Sequence, residues 1–224
     1  MGEIIELQAE DGHFLDAYRA DPEGAAKGEI VVIQEIFGVN AHIREVCDRF
    51  AGAGYSAIAP ATFDRVKKGV ELGYDEDGIA AGRELMGQLD WDNALKDVAA
   101  AARALRPDGK VGVVGYCWGG SLAWLAACRL DIGAAVCYYG AQIPKFAAET
   151  PKAPVILHFG ETDASIPMEG VETVRAAHPD VPIYTYPAGH GFSCDHRASF
   201  DAESSRRALV HTLDFFGEKL TDKN

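Results

Sequence analysis

The chain has 224 residues, with 21 Lys and Arg against 34 Asp and Glu and a formal net charge of −13. A surface this negative repels phosphate backbones and anionic lipid, which sets nucleic-acid and membrane-surface roles aside. The hydrophobic share of 48% and charged share of 25% describe a water-soluble globule, a single domain over 1–224 able to bury a pocketed core.

Short runs rich in Val and Ile, bounded by Gly and Pro, alternate with segments of helical period. That alternation marks an α/β domain with a mostly parallel sheet and helices on both faces. Strands are predicted at 4–8 and 14–19, flanking the turn signal Asp11-Gly12, so the sheet should open with an antiparallel N-terminal edge pair. A third strand at 30–36 breaks at Gly38, followed by a helix at 41–53 and a strand at 56–59. Residues 61–91 depart from this rhythm. Gly69, Gly73, Gly78, Gly82 and Gly87 interrupt any long helix there, so the stretch reads as a cap or substrate-facing loop. Beyond it come a helix at 92–105, a strand at 111–116, a helix at 119–129, strands at 133–138 and 154–159, a helix at 169–177 and a strand at 182–186. The last helix, 202–220, carries Leu209, Leu213, Phe216 and Leu220 as one apolar stripe expected to pack on the sheet.

The strongest local signal is Gly115-Tyr116-Cys117-Trp118-Gly119, where an apolar strand turns at once into a helical pattern. This is the nucleophile elbow G-x-S-x-G with cysteine in the serine's place. Its glycines have a steric reason, because a nucleophile on a strained strand-to-helix turn needs neighbours without Cβ atoms. The helix beyond Cys117 points its positive end at the sulfur, favouring a thiolate or an oxyanion. Cys47, Cys128 and Cys137 read as buried structural cysteines. The five cysteines are odd in number and contain no C-x-x-C pair, so neither disulfides nor a zinc knuckle is expected.

A thiol nucleophile needs a base, and the base an orienting acid. The strand at 154–159 runs into Gly160-Glu161-Thr162-Asp163, and that at 182–186 runs into Gly189-His190-Gly191-Phe192. The order nucleophile, acid, histidine is that of the α/β-hydrolases. Glu161 ranks second to Asp163 because Asp163 lies two places deeper into the turn. Of the other histidines, His158 reads as core, and His13, His42, His178, His196 and His211 as mostly solvated. His190, Cys194 and His196 lack a fourth ligand at metal spacing, so no metal and no organic cofactor is expected. Where the third strand breaks, the backbone N–H of Ile36 should join that of Trp118 as an oxyanion hole. Glu35, next to it, is either a functional carboxylate or a strand-end charge.

Together, QEIFGVNAHIREVCDRFAGAGYSAIAP, GYCWGG, HFGETDASIP and AGHGFSCDHRASFDAE resemble the dienelactone hydrolases, or carboxymethylenebutenolidases, over nearly the whole chain. The resemblance implies a lactone or activated-ester hydrolase with Cys117, Asp163 and His190 as its triad. It also implies that Glu35 pairs with the cysteine and helps to produce the thiolate when substrate binds. Members of that family hold a substrate carboxylate with two arginines. The nearest candidates here are Arg83 and Arg197, although an ungapped reading puts Ile79 and Cys194 at those positions. Phe37 and Phe192 are expected to shape the pocket beside Trp118 and residues 61–91. The alternatives are a redox-responsive thiol protein, with Cys194 reaching Cys117, and a non-catalytic small-molecule binder on the same fold. The start MGEIIELQAEDG shows no basic region before an apolar stretch, and no apolar run approaches the ~18 residues that span a bilayer. A cytoplasmic monomer is the expectation.

Overall fold

A computed structural model describes residues 2–106 and 110–220. Eight strands form one sheet: β1 (Glu3–Gln8), β2 (Phe14–Ala20), β3 (Glu29–Ile33), β4 (Ser56–Pro60), β5 (Gly112–Tyr116), β6 (Ala134–Tyr138), β7 (Val155–Gly160) and β8 (Ile183–Tyr186). Their spatial order is β1-β2-β4-β3-β5-β6-β7-β8. Only β2 runs against its neighbours, and β3 to β8 are parallel. The β1–β2 hairpin closes through Gly12 at φ +86°, the left-handed region that glycine enters freely. Strands β4 to β7 are buried along their whole length, as continuous Val, Ile and Ala runs must be when both faces of a parallel sheet are covered.

The helices are α1 (Ala41–Gly52), α2 (Glu76–Gln88), α3 (Trp91–Leu105), α4 (Trp118–Arg129), α5 (Met168–Ala177) and α6 (Ala202–Leu220). Helix α1 packs on β2, β3 and β4, and Phe50 meets Phe216 of α6 with ring centroids 6.3 Å apart. Helices α3 and α4 cover the other face of the sheet and touch each other. Side chains of Asn40, Asp75 and Asp90 cap α1, α2 and α3 by accepting the N–H groups of Ile43, Gly78 and Asn93, donors with no partner inside a helix.

Three expectations are corrected. The glycine-rich stretch contains α2, because two of its glycines serve close packing: a Cβ on Gly82 would lie 2.2 Å from the Ile36 carbonyl oxygen, and one on Gly78 2.1 Å from that of Gly73. Strand β3 ends at Ile33 rather than 36. There the chain crosses the start of α4 so closely that a Cβ on Gly119 would lie 2.4 Å from the Gln34 oxygen. Helix α6 buries Ser204, Ala208, Thr212, Phe216 and Leu220, while Leu209 is 36% exposed. Small residues let the helix approach. Thr212 is admitted to the core because its hydroxyl bonds the Tyr138 hydroxyl at 2.7 Å and donates to the Ala208 carbonyl at 2.9 Å.

Candidate active site

Cys117 joins β5 to α4 with φ 56° and ψ −116°, a conformation that costs a non-glycine residue about 1–3 kcal/mol. The surroundings enforce it. A Cβ on Gly115 would fall 1.8 Å from the Gly119 oxygen, and one on Gly120 2.3 Å from the Tyr138 oxygen. The Cys117 N–H donates to the Tyr138 carbonyl at 3.0 Å, and the Cys117 carbonyl accepts from Gly120 at 3.0 Å. Of the five cysteines only Cys117 is not buried.

The loops after β7 and β8 bring Asp163 and His190 to this turn. His190 Nε2 lies 3.1 Å from Cys117 Sγ, and His190 Nδ1 lies 2.7 Å from Asp163 Oδ2. Asp163 is buried, and its Oδ1 accepts the Ser165 N–H at 2.8 Å, so neither oxygen is idle. Burial by itself depresses the His190 pKa, but the Cys117 sulfur and the Asp163 carboxylate outweigh it and raise it to about 10. Glu161 is exposed and accepts from the Thr185 hydroxyl instead.

A cavity of about 310 Å³ opens over Cys117 and His190, lined by Ile36, Phe37, Trp118 and Arg197 and, from α2, by Ile79, Arg83 and Met86. Arg83 is exposed there and has no ion-pair partner among the described residues. Trp118 stacks on Trp91 with centroids 5.6 Å apart, which fixes that wall. Phe192 is a correction: it is fully buried against Tyr139 and Tyr186 and lies outside the cavity lining. Ser121, Ala141, Gln142 and Ser165, which the sequence pattern did not single out, also face the cavity.

Glu35 is wholly buried, yet its carboxylate does not pair with Cys117 in this conformation. Arg197 holds Oε1 at 3.3 Å, and the Tyr74 hydroxyl donates to Oε2 at 3.2 Å. The guanidinium of Arg197 lies over both the Phe37 and Tyr74 rings, 5.6 Å from each centroid, where a desolvated cation gains most from a π face. A Cβ on Gly191, which has φ +75°, would meet that guanidinium at 2.6 Å, so the glycine after His190 makes room for Arg197. Burial and the Glu35 charge push the Cys194 thiol up to about 12.

Among the remaining histidines, His158 is core as expected, with burial and His211 holding its pKa near 3. His42 is the exception to the solvated reading and is fully buried. Helix α1 presents it inward, between Asp195 and the Glu35 cluster.

A strand-to-helix turn bearing Cys117, with Asp163 and His190 brought to it by loops after later strands of a parallel sheet, is the arrangement of the α/β-hydrolases. The dienelactone hydrolase family profile matches residues 15–220, and the chain belongs to that family. It is 39% identical to a proposed carboxymethylenebutenolidase of Synechocystis over 92% of both chains. With the carboxymethylenebutenolidase of Pseudomonas putida it shares 34% identity over 95% of both. The crystal structure of a proposed dienelactone hydrolase from Klebsiella pneumoniae superposes with a TM-score of 0.84 at 31% identity, covering 96% of this chain and 99% of that one. The chain is thus a lactone or ester hydrolase with a small-molecule substrate. No helix among the described residues is long and apolar enough to cross a membrane.

Proposed function

We propose that this hydrolase opens an enol lactone or a similarly activated ester through a cysteinyl acyl-enzyme. The observation that carries the reading is the contact chain from Cys117 Sγ through His190 to Asp163, at 3.1 and 2.7 Å. The Cys117 thiolate attacks the carbonyl carbon, and the carbonyl electron pair moves onto oxygen. The N–H groups of Trp118 and Ile36 receive that oxyanion. Trp118 opens α4, where a helix N–H has no internal acceptor.

Collapse of the tetrahedral intermediate breaks the C–O bond and expels an enolate, which takes the proton from the His190 imidazolium. Acylation makes the sulfur a neutral thioester, removing the charge that held the His190 pKa up. The freed imidazole then takes a proton from water, hydroxide adds to the thioester, and Cys117 departs as thiolate. An enolate leaves more readily than an alkoxide, so a thiol nucleophile suffices for lactones and serves poorly for amides.

Arg83, an exposed cation lining the cavity with no ion-pair partner among the described residues, fits a carboxylate on the substrate. Arg197 is the second candidate. A substrate anion that draws it off would release Glu35 toward the sulfur, in keeping with the family resemblance. The test compares dienelactone with aryl esters lacking a carboxylate, in the parent and in Cys117→Ala and Arg83→Ala proteins. Cys117→Ala should lose turnover of both. Arg83→Ala should raise KM for dienelactone about tenfold or more and leave the neutral ester unchanged; equal effects on both would contradict the carboxylate role.

A further inference from the structure

Behind the nucleophile, three wholly buried side chains from distant parts of the chain converge: Glu35, His42 of α1, and Cys194 from the loop after β8. One carboxylate oxygen, one imidazole nitrogen and the sulfur lie within 4.8 Å of one another. His42 Nδ1 meets Asp195 Oδ1 at 3.1 Å, and Arg49 braces the other oxygen of Asp195 at 3.1 Å. His42 Nε2 is buried and has no hydrogen-bond partner among the described residues. A buried polar atom without a partner costs about 1–3 kcal/mol and calls for an explanation.

We propose that Glu35, His42 and Cys194 form a binding site for a borderline-soft divalent cation of the Zn²⁺ class. Imidazole nitrogen, thiolate sulfur and carboxylate oxygen are the donors such a cation takes in tetrahedral sites, with a fourth position left for water. The Asp195–His42 contact is the usual support of a metal-bound histidine: a carboxylate on one nitrogen fixes the tautomer and leaves the other nitrogen's lone pair free. Cys194 enters as thiolate, its proton released to the medium. Asp195 and His196, both exposed, form with His42 a second donor group within 4.8 Å, which gives an incoming cation a first foothold. Because Glu35 also pairs with Arg197, an occupied site competes with that ion pair. The site does not depend on Cys117 being the nucleophile.

Cobalt(II) is the probe, added to the metal-free full-length protein and to folded variants checked by circular dichroism. With Cys117→Ala, which removes the one cysteine that is not buried, one equivalent of Co²⁺ should still give a thiolate-to-cobalt charge-transfer band, reversed by Zn²⁺. Cys194→Ala should abolish the band. Asp195→Asn, an exposed change that spares the core, should weaken Co²⁺ binding about 10–100-fold. A band lost in Cys117→Ala and kept in Cys194→Ala would place the cation between Cys117 and His190 and overturn the proposal. The absence of any band, or unchanged affinity in Asp195→Asn, would overturn it as well.

Discussion

At the residue scale the site turns on charge held out of water. The His190 pKa of about 10 means that imidazolium persists through neutral pH while the sulfur is anionic, and is lost as pH rises through that value. The acylation rate, read from kcat/KM, should therefore have its alkaline limb near pH 10 rather than near the 6.5 of a free imidazole. A limb near 6.5 would show that Cys117 does not hold the proton on His190. Asp163→Asn keeps the shape of the buried acid but not its charge, and should lower kcat by about 10²–10⁴-fold with folding intact. Stopped-flow hydrolysis of an activated ester measures it. Cys117, Asp163 and His190 were legible as candidates because each follows the carboxyl end of a predicted strand, with a glycine within three residues. His42 and Phe192 were not. Both lie in polar-looking segments, and only tertiary packing buries them.

At the scale of elements, the strands were readable because a parallel sheet covered on both faces leaves unbroken Val and Ile runs. Helix α2 was hidden because glycine normally lowers helix stability by about 1 kcal/mol per residue. Gly78 and Gly82 are retained for the close approach of backbone to backbone, which a single sequence does not reveal. The shifted stripe of α6 has a similar origin, since Thr212 is buried on the strength of partners in β6 and its own helix. The role of α2 as a wall of the cavity yields a prediction. Gly82→Ala forces a Cβ against the Ile36 oxygen, moving α2 away from the predicted oxyanion loop. We expect kcat/KM to fall at least about tenfold while unfolding shifts by only a few degrees, as for a loss of about 1–2 kcal/mol in a chain of this size. Unchanged kinetics would mean that α2 does not fix the Ile36 loop.

For the whole molecule, pH acts through buried groups. His158 is fully buried between the Tyr186 hydroxyl, 2.9 Å from Nδ1, and the Thr212 hydroxyl, 3.3 Å from Nε2. Its folded pKa near 3 lies below the unfolded 6.5, so the unfolded chain binds the extra proton. The stability it contributes is complete above 6.5 and is lost as pH falls toward 3, on the order of 5 kcal/mol in full. Urea unfolding of the parent and of His158→Gln at pH 7 and pH 4.5 should show a smaller acid loss in the variant. An equal loss in both would assign the acid sensitivity to the carboxylates.

Whether Cys117 carries the acyl group is tested most directly by rapid quenching of turnover followed by mass spectrometry. With the parent protein quenched within the first turnover of an activated ester, we predict an adduct of one acyl group, confined to the peptide holding Cys117 and absent when Cys117 is alanine. An adduct on Ser121 or elsewhere, or undiminished hydrolysis by Cys117→Ala, would contradict the account.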